Sequence, residues 1–344
     1  MGSTIDDVAR EAGVSIATVS RYLNGRTAAV SAATGVRIQA AVDRLGYVPN
    51  LAARSLKTGR SRLIGVLLAN IAHPYWSMVL SGVEEACQRA NYSVIVSSAG
   101  DRADVEHRYL EMFLEQRVDG ILFNPAHAGD DLIAKWSALT IPVVTLDRTL
   151  PGLPFGLVAM DNALGITLAV KHLIGLGHRR IGFVSWHPRS LSNRQERLQG
   201  YADALAEEGI GLDPGLIRFA EDGWSDGVDR TLELLVGSDP PTAILSASSM
   251  LNLQVLAAIK RRGLRVPEDI SVVGYDDSPW DPLLDPPLTT VATPARQLGI
   301  AAVERLMATI DAGTEGHADE LRLAPALIVR TSTRPRATSA VPSA

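Results

Sequence analysis

One cysteine, Cys87, is all that 344 residues contain, so no internal disulfide framework braces the chain and a reducing compartment suits it. Its place in the helical run "SGVEEACQRA" marks it as a core or half-buried thiol. No stretch approaches the roughly 20 apolar residues of a membrane span. The first residues lack the apolar segment of an export signal, so a cytoplasmic protein with no membrane partner is expected. The seven histidines (His73, His107, His127, His172, His178, His187, His317) show no spacing that sets two on one helical turn. They read as surface or supporting groups, and no metal is expected. There is no P-loop and no G-x-S-x-G elbow. The nearest approach to a dinucleotide fingerprint is Gly175-Leu176-Gly177-His178-Arg179-Arg180, which lacks the third glycine and follows a helix. Those glycines read as a helix stop and a turn into the next strand. No cofactor and no catalytic activity are expected.

What is present is ample core, with 46% hydrophobic residues in a length that suits two or three domains. Charge is unevenly spread. Residues 1–60 carry eight basic side chains (Arg10, Arg21, Arg26, Arg37, Arg44, Arg54, Lys57, Arg60) against four acidic ones (Asp6, Asp7, Glu11, Asp43), a net of +4. The total is −5, so the remainder holds −9. A basic head on an acidic body draws a polyanion to one end and repels it from the other.

Within that head, Thr4 and Asp7 form a capping box, so a short helix begins there with Ile5, Val8, Ala9 and Ala12 on its apolar face. Gly13 stops it, and Ser15 caps a second helix after a connection too short for side-by-side packing. That spacing suits the sharp crossing of a helix-turn-helix. Val14, Thr18, Val19 and Leu23 turn towards the first helix, leaving Ile16, Ala17, Ser20, Arg21 and Asn24 outward. In a helix-turn-helix this is the surface that enters the major groove. Arg21 is long enough for a bidentate contact to guanine, whereas Ile16 and Ala17 offer apolar contact, for instance to thymine methyls. Taken by spacing alone, an ordinary helical hairpin with a solvated face remains an alternative. A third helix runs from Ser31 to about Leu45, with Val36, Ile38, Ala41, Val42 and Leu45 available to close the core.

Two stretches carry a resemblance. "DVAREAGVSIATVSRYLNG" and its continuation "VSAATGVRIQAAVDRLGYVPNLAARSL" are similar, nearly position for position, to the start of the LacI family of bacterial transcription regulators. The resemblance implies that Thr4, Ser15, Ile16, Ala17, Ser20, Arg21, Asn24, Tyr47, Asn50, Ala53 and Leu56 meet double-stranded, pseudo-palindromic operator DNA. The segment 51–56 is too short to hold a helix alone in water. In the LacI family it becomes a hinge helix when a dimer sits on its operator, and a leucine matching Leu56 wedges into the minor groove. By composition the same segment is a plain linker.

From residue 63 the texture changes to alternating short apolar runs and helical patterns, the mark of parallel sheet with crossover helices. Strands over 63–68, 93–96, 120–123 and 143–146 alternate with helices over 75–90, 104–116 and 131–138. After a break at 151–155 a second series opens with a strand over 157–159 and a helix over 163–174. It continues with strands over 180–184, 243–245 and 271–274 and helices over 193–208, 225–235 and 250–261. Segments over 289–294 and a helix over 294–310 return to the first series. The expected fold class is a small all-α helix-turn-helix head joined to a bilobed α/β core with two parallel-sheet subdomains, a core also similar to the periplasmic-binding-protein-like body of LacI regulators. That family's "VVGYDD" and "LTTVATP" stand here at 272–277 and 288–294. The expected division is 1–49 head, 50–61 hinge helix and linker, 62–332 effector-binding and dimerisation core, and 333–344 disordered tail. The first lobe takes about 62–160 and 292–322, the second about 161–291 and 323–332. The Ser/Ala/Thr/Pro tail has no leucine heptad, so a homodimer is expected and not a helix-built tetramer.

In open α/β sheets small molecules bind beyond the strand carboxyl ends. This points to His73, Tyr75, Trp76, Asn124, Asp147 and Arg148 in the first lobe. In the second it points to Trp186 and the polar loop up to Arg197, then Trp224, Ser248, Ser249, Asp276 and Asp277. Flat aromatic faces mixed with amide, carboxylate and guanidinium groups suit a polyhydroxylated ring, a carbohydrate effector. The resemblance implies that Arg197, in "RLQGY", reaches the effector, that Trp224 packs against it and that Asp276 belongs to the same set. One departure stands out: many family members read Asn-Asp before an Ala-Leu-Gly run where this chain has Ser248-Ser249-Met250-Leu251-Asn252-Leu253-Gln254. A serine in place of that aspartate weakens the case for a free hexose and leaves room for a modified or acidic sugar, or no sugar at all. Gln254 in place of glycine is expected to change the lobe's surface. The expected function is a transcriptional regulator, with repression the commoner family behaviour. A transporter's solute-binding protein is the alternative, opposed by the basic head.

Overall fold

A computed structural model describes residues 3–23, 30–48, 59–126, 136–137, 139–150, 152–153, 155–189, 191–221, 224–313 and 319–336. The chain divides into two compact units, Met1–Ser61 and Arg62–Ala344. In the first, α1 (Ile5–Ala12) opens on the Thr4 and Asp7 capping box and ends at Gly13, whose φ of 62° is left-handed. Ser15 caps α2 (Ile16–Leu23) by accepting from the Thr18 N–H at 3.2 Å. Ser31 caps α3 (Ala32–Leu45) in the same way. Val8, Ala9, Ala12, Val19, Ile38 and Ala41 form the core, and an Arg44–Glu11 ion pair ties α3 to α1. Val36 was expected in that core but is 70% exposed. Gly35, Ile38 and Ala41 take the buried stripe, and Val36 stands about 200° round the helix from Ile38.

The second unit holds two sheets. β1 (Leu63–Leu68), α4 (Pro74–Arg89), β2 (Ser93–Ser98), α5 (Ala103–Glu115), β3 (Gly120–Phe123), β4 (Val143–Leu146) and β5 (Gly156–Met160) build the first lobe. The chain then crosses into α6 (Asn162–Gly175), β6 (Ile181–Trp186), α7 (Ser192–Glu207), β7 (Ile217–Ala220), α8 (Trp224–Val236), β8 (Ala243–Ser246), α9 (Ser249–Arg261), β9 (Ser271–Tyr275) and β10 (Thr289–Ala292). It returns as α10 (Ala295–Ala312) and β11 (Glu320–Leu323) and ends the second lobe with β12 (Ala326–Ile328). Strand orders are β11-β5-β4-β3-β1-β2 and β12-β10-β9-β8-β6-β7. Every pair is parallel except β10 with β12. Runs such as "LIGVLL" are apolar at nearly every position because helices cover both faces of a parallel sheet.

Three crossings join the lobes, after β5, after β10 and between β11 and β12. α10 belongs to the first lobe, where it packs against α4 through two glycines. A Cβ on Gly82 would stand 2.0 Å from the Arg296 carbonyl oxygen, and one on Gly299 would stand 2.1 Å from that of Val79.

Several sequence expectations need correction. The strand over 157–159, read as opening the second series, is β5 and pairs with β4 and β11 in the first sheet. β7, β11 and β12 were not anticipated. They are edge strands with exposed or charged positions, such as Glu320 and Arg322, so they lack the apolar signature of the central strands. Residues 334–336, expected to start the disordered tail, are fastened: the Arg336 N–H donates to the Leu176 carbonyl and the Arg334 N–H to Ser271 Oγ. The hinge segment 51–56 and most of the helix expected over 131–138 lie outside the described residues.

Candidate functional site

Within the second unit, the carboxyl ends of strands from both sheets border one cavity of about 60 Å³. The first lobe supplies His73, Tyr75 and Trp76 at the start of α4, then Asp147 and Arg148 after β4, and Met160. The second supplies Ser185, Trp186, Asn193, Arg194, Arg197, Ala247, Ser248, Asp276 and Thr293. Asp147 and Asp276 each follow a strand with φ of 61°, so both sheets end in an aspartate held in the left-handed region that costs a non-glycine residue about a kcal/mol or more. Asn252 locks the second of these turns, donating to the Tyr275 carbonyl and accepting from the Tyr275 N–H.

Arg197 is the best-fixed cation. Its Nε donates to Asn162 Oδ1 and its Nη1 to the Ala247 carbonyl, both at 2.8 Å, and its guanidinium lies 4.0 Å from the Tyr275 ring centroid. Tyr275 donates its own hydroxyl to the same Asn162 oxygen. Arg148 donates to the Pro125 carbonyl at 2.6 Å. Trp186 donates its indole N–H to Ser248 Oγ and meets His73 edge-on. Across the cleft, Asn193 donates to the Asp147 carboxylate, the Thr149 N–H to Ser192, and Arg322 to Glu196.

Burial raises the Asp276 carboxyl above its ordinary range despite Arg197 and the Ser249 and Thr293 hydroxyls. Burial lowers the His73 imidazole, opposed by Asp101 and reinforced by Arg148, Arg194 and Arg197. Burial works to lower Arg197, but Tyr275, Asp147 and Asp276 outweigh it, and the guanidinium is held more firmly protonated. Behind Arg148, burial pushes Glu106 up to about 7 although it accepts from the Ala126 N–H.

Of the residues expected at this site, His73, Tyr75, Trp76, Asp147, Arg148, Arg197, Ser248 and Asp276 line the cavity. Asn124 does not; it is fully buried and donates to the Leu146 carbonyl, steadying the end of β4. Ser249 sits behind Asp276 in the first turn of α9, buried and off the wall. Asp277 turns away to an ion pair with Arg330. Gln254, expected to alter the surface, is interior at 1% exposure and abuts Gly227. The Trp224 side chain lies outside the described residues. Met160, Ser185, Ala247 and Thr293 were not singled out, being ordinary strand-end residues with no chemical signature. His178, read as a surface or supporting group, is 3% exposed and bridges Thr242 and the Arg334 carbonyl. Among the described residues, no cluster of three His, Cys, Asp or Glu could hold a metal ion, and no helix is long and apolar enough to cross a membrane.

In the first unit, Ser15, Ile16, Ala17 and Arg21 are exposed along one side of α2, with Ser20 half-buried beside them. Thr4 is occupied in the α1 cap, and Tyr47 is half-buried against the three-helix core. Asn24, Asn50, Ala53 and Leu56 lie outside the described residues.

Known proteins agree with both units. Residues 4–50 match the model of bacterial regulatory proteins of the lacI family, and residues 170–333 match a periplasmic binding protein-like domain. The HTH-type transcriptional repressor PurR of Photobacterium profundum is 36% identical over 335 residues, covering 96% of this chain and 99% of that protein. The chain belongs to the lacI family of bacterial regulatory proteins. As a lacI-family member it is a DNA-binding transcription regulator with a helix-turn-helix head. Among solved structures, the lac repressor dimer bound to operator and the anti-inducer ONPF superposes with a TM-score of 0.84 at 31% identity, covering 97% of this chain and all of that one. A complex of the regulator CelR with cellobiose gives 0.73 at 32% identity, covering 96% and 99%. This lacI-family relationship replaces the alternative of a transporter's solute-binding protein.

Proposed function

We propose that the protein is a cytoplasmic, homodimeric repressor that binds a pseudo-palindromic operator and is tuned by a small hydroxylated molecule, a sugar or sugar derivative, held between its lobes. The observation that carries the reading is the cavity itself: strand ends of two sheets, two aspartates, an aromatic wall and the doubly fixed Arg197 converge on one space. The operator and the cellobiose in the two related structures support the DNA and carbohydrate parts. On this reading residues 1–49 are the recognition head, 50–61 the hinge and linker, and 62–332 the effector and dimerisation core. Ile16, Ala17, Ser20 and Arg21 face bases, while Thr4, Ser15, Asn24, Tyr47, Asn50, Ala53 and Leu56 complete the DNA surface. Effector binding shifts the angle between lobes, and the dimer contact of the first lobe passes that shift to the hinge. A coupling of about 1 to 3 kcal/mol is ordinary for such linkage.

Selection of binding sites from random DNA, followed by a thermal-shift screen of sugars, tests the proposal. A palindromic consensus and a ligand that changes operator affinity are expected. A ligand whose binding survives Arg197→Ala places its site elsewhere.

A further inference from the structure

Two cations of the cleft, Arg148 and Arg197, are fixed differently from several others of the second unit. Arg180, Arg218, Arg230, Arg322 and Arg330 each close an ion pair with a carboxylate. Among the described residues, no carboxylate stands within 4.0 Å of the Arg148 or Arg197 guanidinium nitrogens. Backbone carbonyls and an amide hold them instead, at Pro125, Ala247 and Asn162. Neutral acceptors orient a guanidinium without cancelling its charge. Arg148 Nε is shielded from solvent and bonds to no described residue. Arg194 joins them on the cavity wall, steadied by the His187 carbonyl.

Two carboxylates, Asp147 and Asp276, share the wall with these three guanidiniums. The Asn193 amide donates to Asp147 at 2.6 Å and leaves its charge in place, while burial presses Asp276 towards its neutral form. At the carboxyl end of β8 the wall offers Ser248, and behind it Ser249, both hydroxyls and not acids. Burial lowers the His73 imidazole, opposed by Asp101 and reinforced by all three guanidiniums. A neutral sugar entering this space leaves the excess positive charge where it is. An anion meets ready donors in a fork that matches two oxygens at once.

We propose that the cleft is built for an anionic polyol, a hydroxylated small molecule carrying one carboxylate or phosphate, whose acid group sits among Arg148, Arg194 and Arg197 while its hydroxyls reach Asp147, Asp276 and Ser248. The inference rests on the reading of this cleft as the effector site and names the ligand's charge. Sugar acids and sugar phosphates share the chemistry, and matched probes separate them.

The test is isothermal titration of the full chain at neutral pH with D-gluconate, D-glucuronate, D-glucose 6-phosphate, D-glucose, D-ribose and cellobiose. Trp76 and Trp186 on the cavity wall provide a fluorescence readout of the same titrations. At least one anionic probe should bind about tenfold or more tightly than the neutral sugars, as expected when a site's charged donors are left unpaired by the wrong ligand. Gluconate or glucuronate ahead of glucose 6-phosphate assigns a carboxylate; the reverse assigns a phosphate. Arg148→Gln should shrink the gap between acid and neutral sugar to under about threefold, with operator binding reporting that the variant is folded. Asp276→Asn should weaken acids and neutral sugars alike, because the hydroxyls that both carry lose the same acceptor, and so leave the gap between them in place. Neutral sugars binding as well as the acids, with Arg148→Gln weakening both alike, overturns the charge inference and leaves the cleft reading standing. Acid binding untouched by Arg148→Gln and by Ser248→Trp overturns the cleft reading instead. Failure of every anionic probe at millimolar concentration overturns the proposal.

Discussion

Asn193, in the first turn of α7, donates a 2.6 Å hydrogen bond across the cleft to the carboxylate of Asp147, which follows β4 in the other lobe. Both side chains are nearly inaccessible to solvent, and the bond joins the two lobes on the wall of the cavity. Hydrogen bonds to a charged group contribute about 1.5 to 3 kcal/mol. Asn193→Ala should therefore lower the core's unfolding free energy by that amount, read by urea denaturation. It should also speed release of a cleft ligand in stopped-flow fluorescence. A ligand off-rate equal to that of the parent would deny the bond a part in closing the lobes.

The contact of α4 with α10 makes a second prediction. Gly299→Ala forces a methyl against the Val79 carbonyl, and Gly82→Ala forces one against Arg296. Neither obstacle is a flexible side-chain end. Overpacking of this kind costs roughly 1 to 3 kcal/mol or more, and each variant should shift the urea midpoint of the core downward. Gly209→Ala, with open space around its Cβ position but a φ of 68°, should cost about 1 kcal/mol for its backbone alone.

Glu106 gives the core a pH dependence. Burial raises its carboxyl from an ordinary 4.5 to about 7, so the folded state binds a proton more readily than the unfolded chain does. The stability that this supplies is complete below about pH 4.5 and is lost as pH rises towards 7. Glu106→Gln keeps an acceptor for the Ala126 N–H and cannot ionise. At pH 8 the variant should be the more stable by about 3 kcal/mol, and the difference should vanish below about pH 4.5. Denaturation midpoints across that span check it; a constant difference would place the cost of burial elsewhere.

On α2, Arg21 is exposed while Val19 is fully buried, so truncating the arginine leaves the fold intact. Arg21→Ala should cost about 1 to 3 kcal/mol on the preferred operator and relax selection at one base position. Equal loss on every sequence would make it a phosphate contact.

The head was legible residue by residue because its signals are local: a capping box, a left-handed glycine and a second cap fall within twelve residues of each other. Val36 was misassigned because an apolar residue next to a buried stripe looks like part of it until the helix phase is set by Gly35 and Ile38. Central strands announced themselves through unbroken apolar runs, whereas β11, with Glu320 and Arg322 exposed on an edge, reads as loop. In the cleft, sequence reasoning found Arg197 and both strand-end aspartates through their chemistry and position. Strand-end position alone did not separate Asp276 from Asp277, and the family resemblance picked Asp276: adjacent residues on a strand end point opposite ways, one to the cavity and one to Arg330. Nor could it foresee that Asn124 and Asn252 would be spent holding strand ends in place.

The most direct test of the whole account is an anisotropy titration of the intact protein against a selected palindromic duplex, at moderate ionic strength, with scrambled DNA as competitor. The duplex should be preferred by about 10³-fold or more, and the cleft ligand should change that affinity by roughly 5- to 150-fold, a response absent from Arg197→Ala. Equal affinity for the duplex and its scrambled competitor would contradict the account at its root.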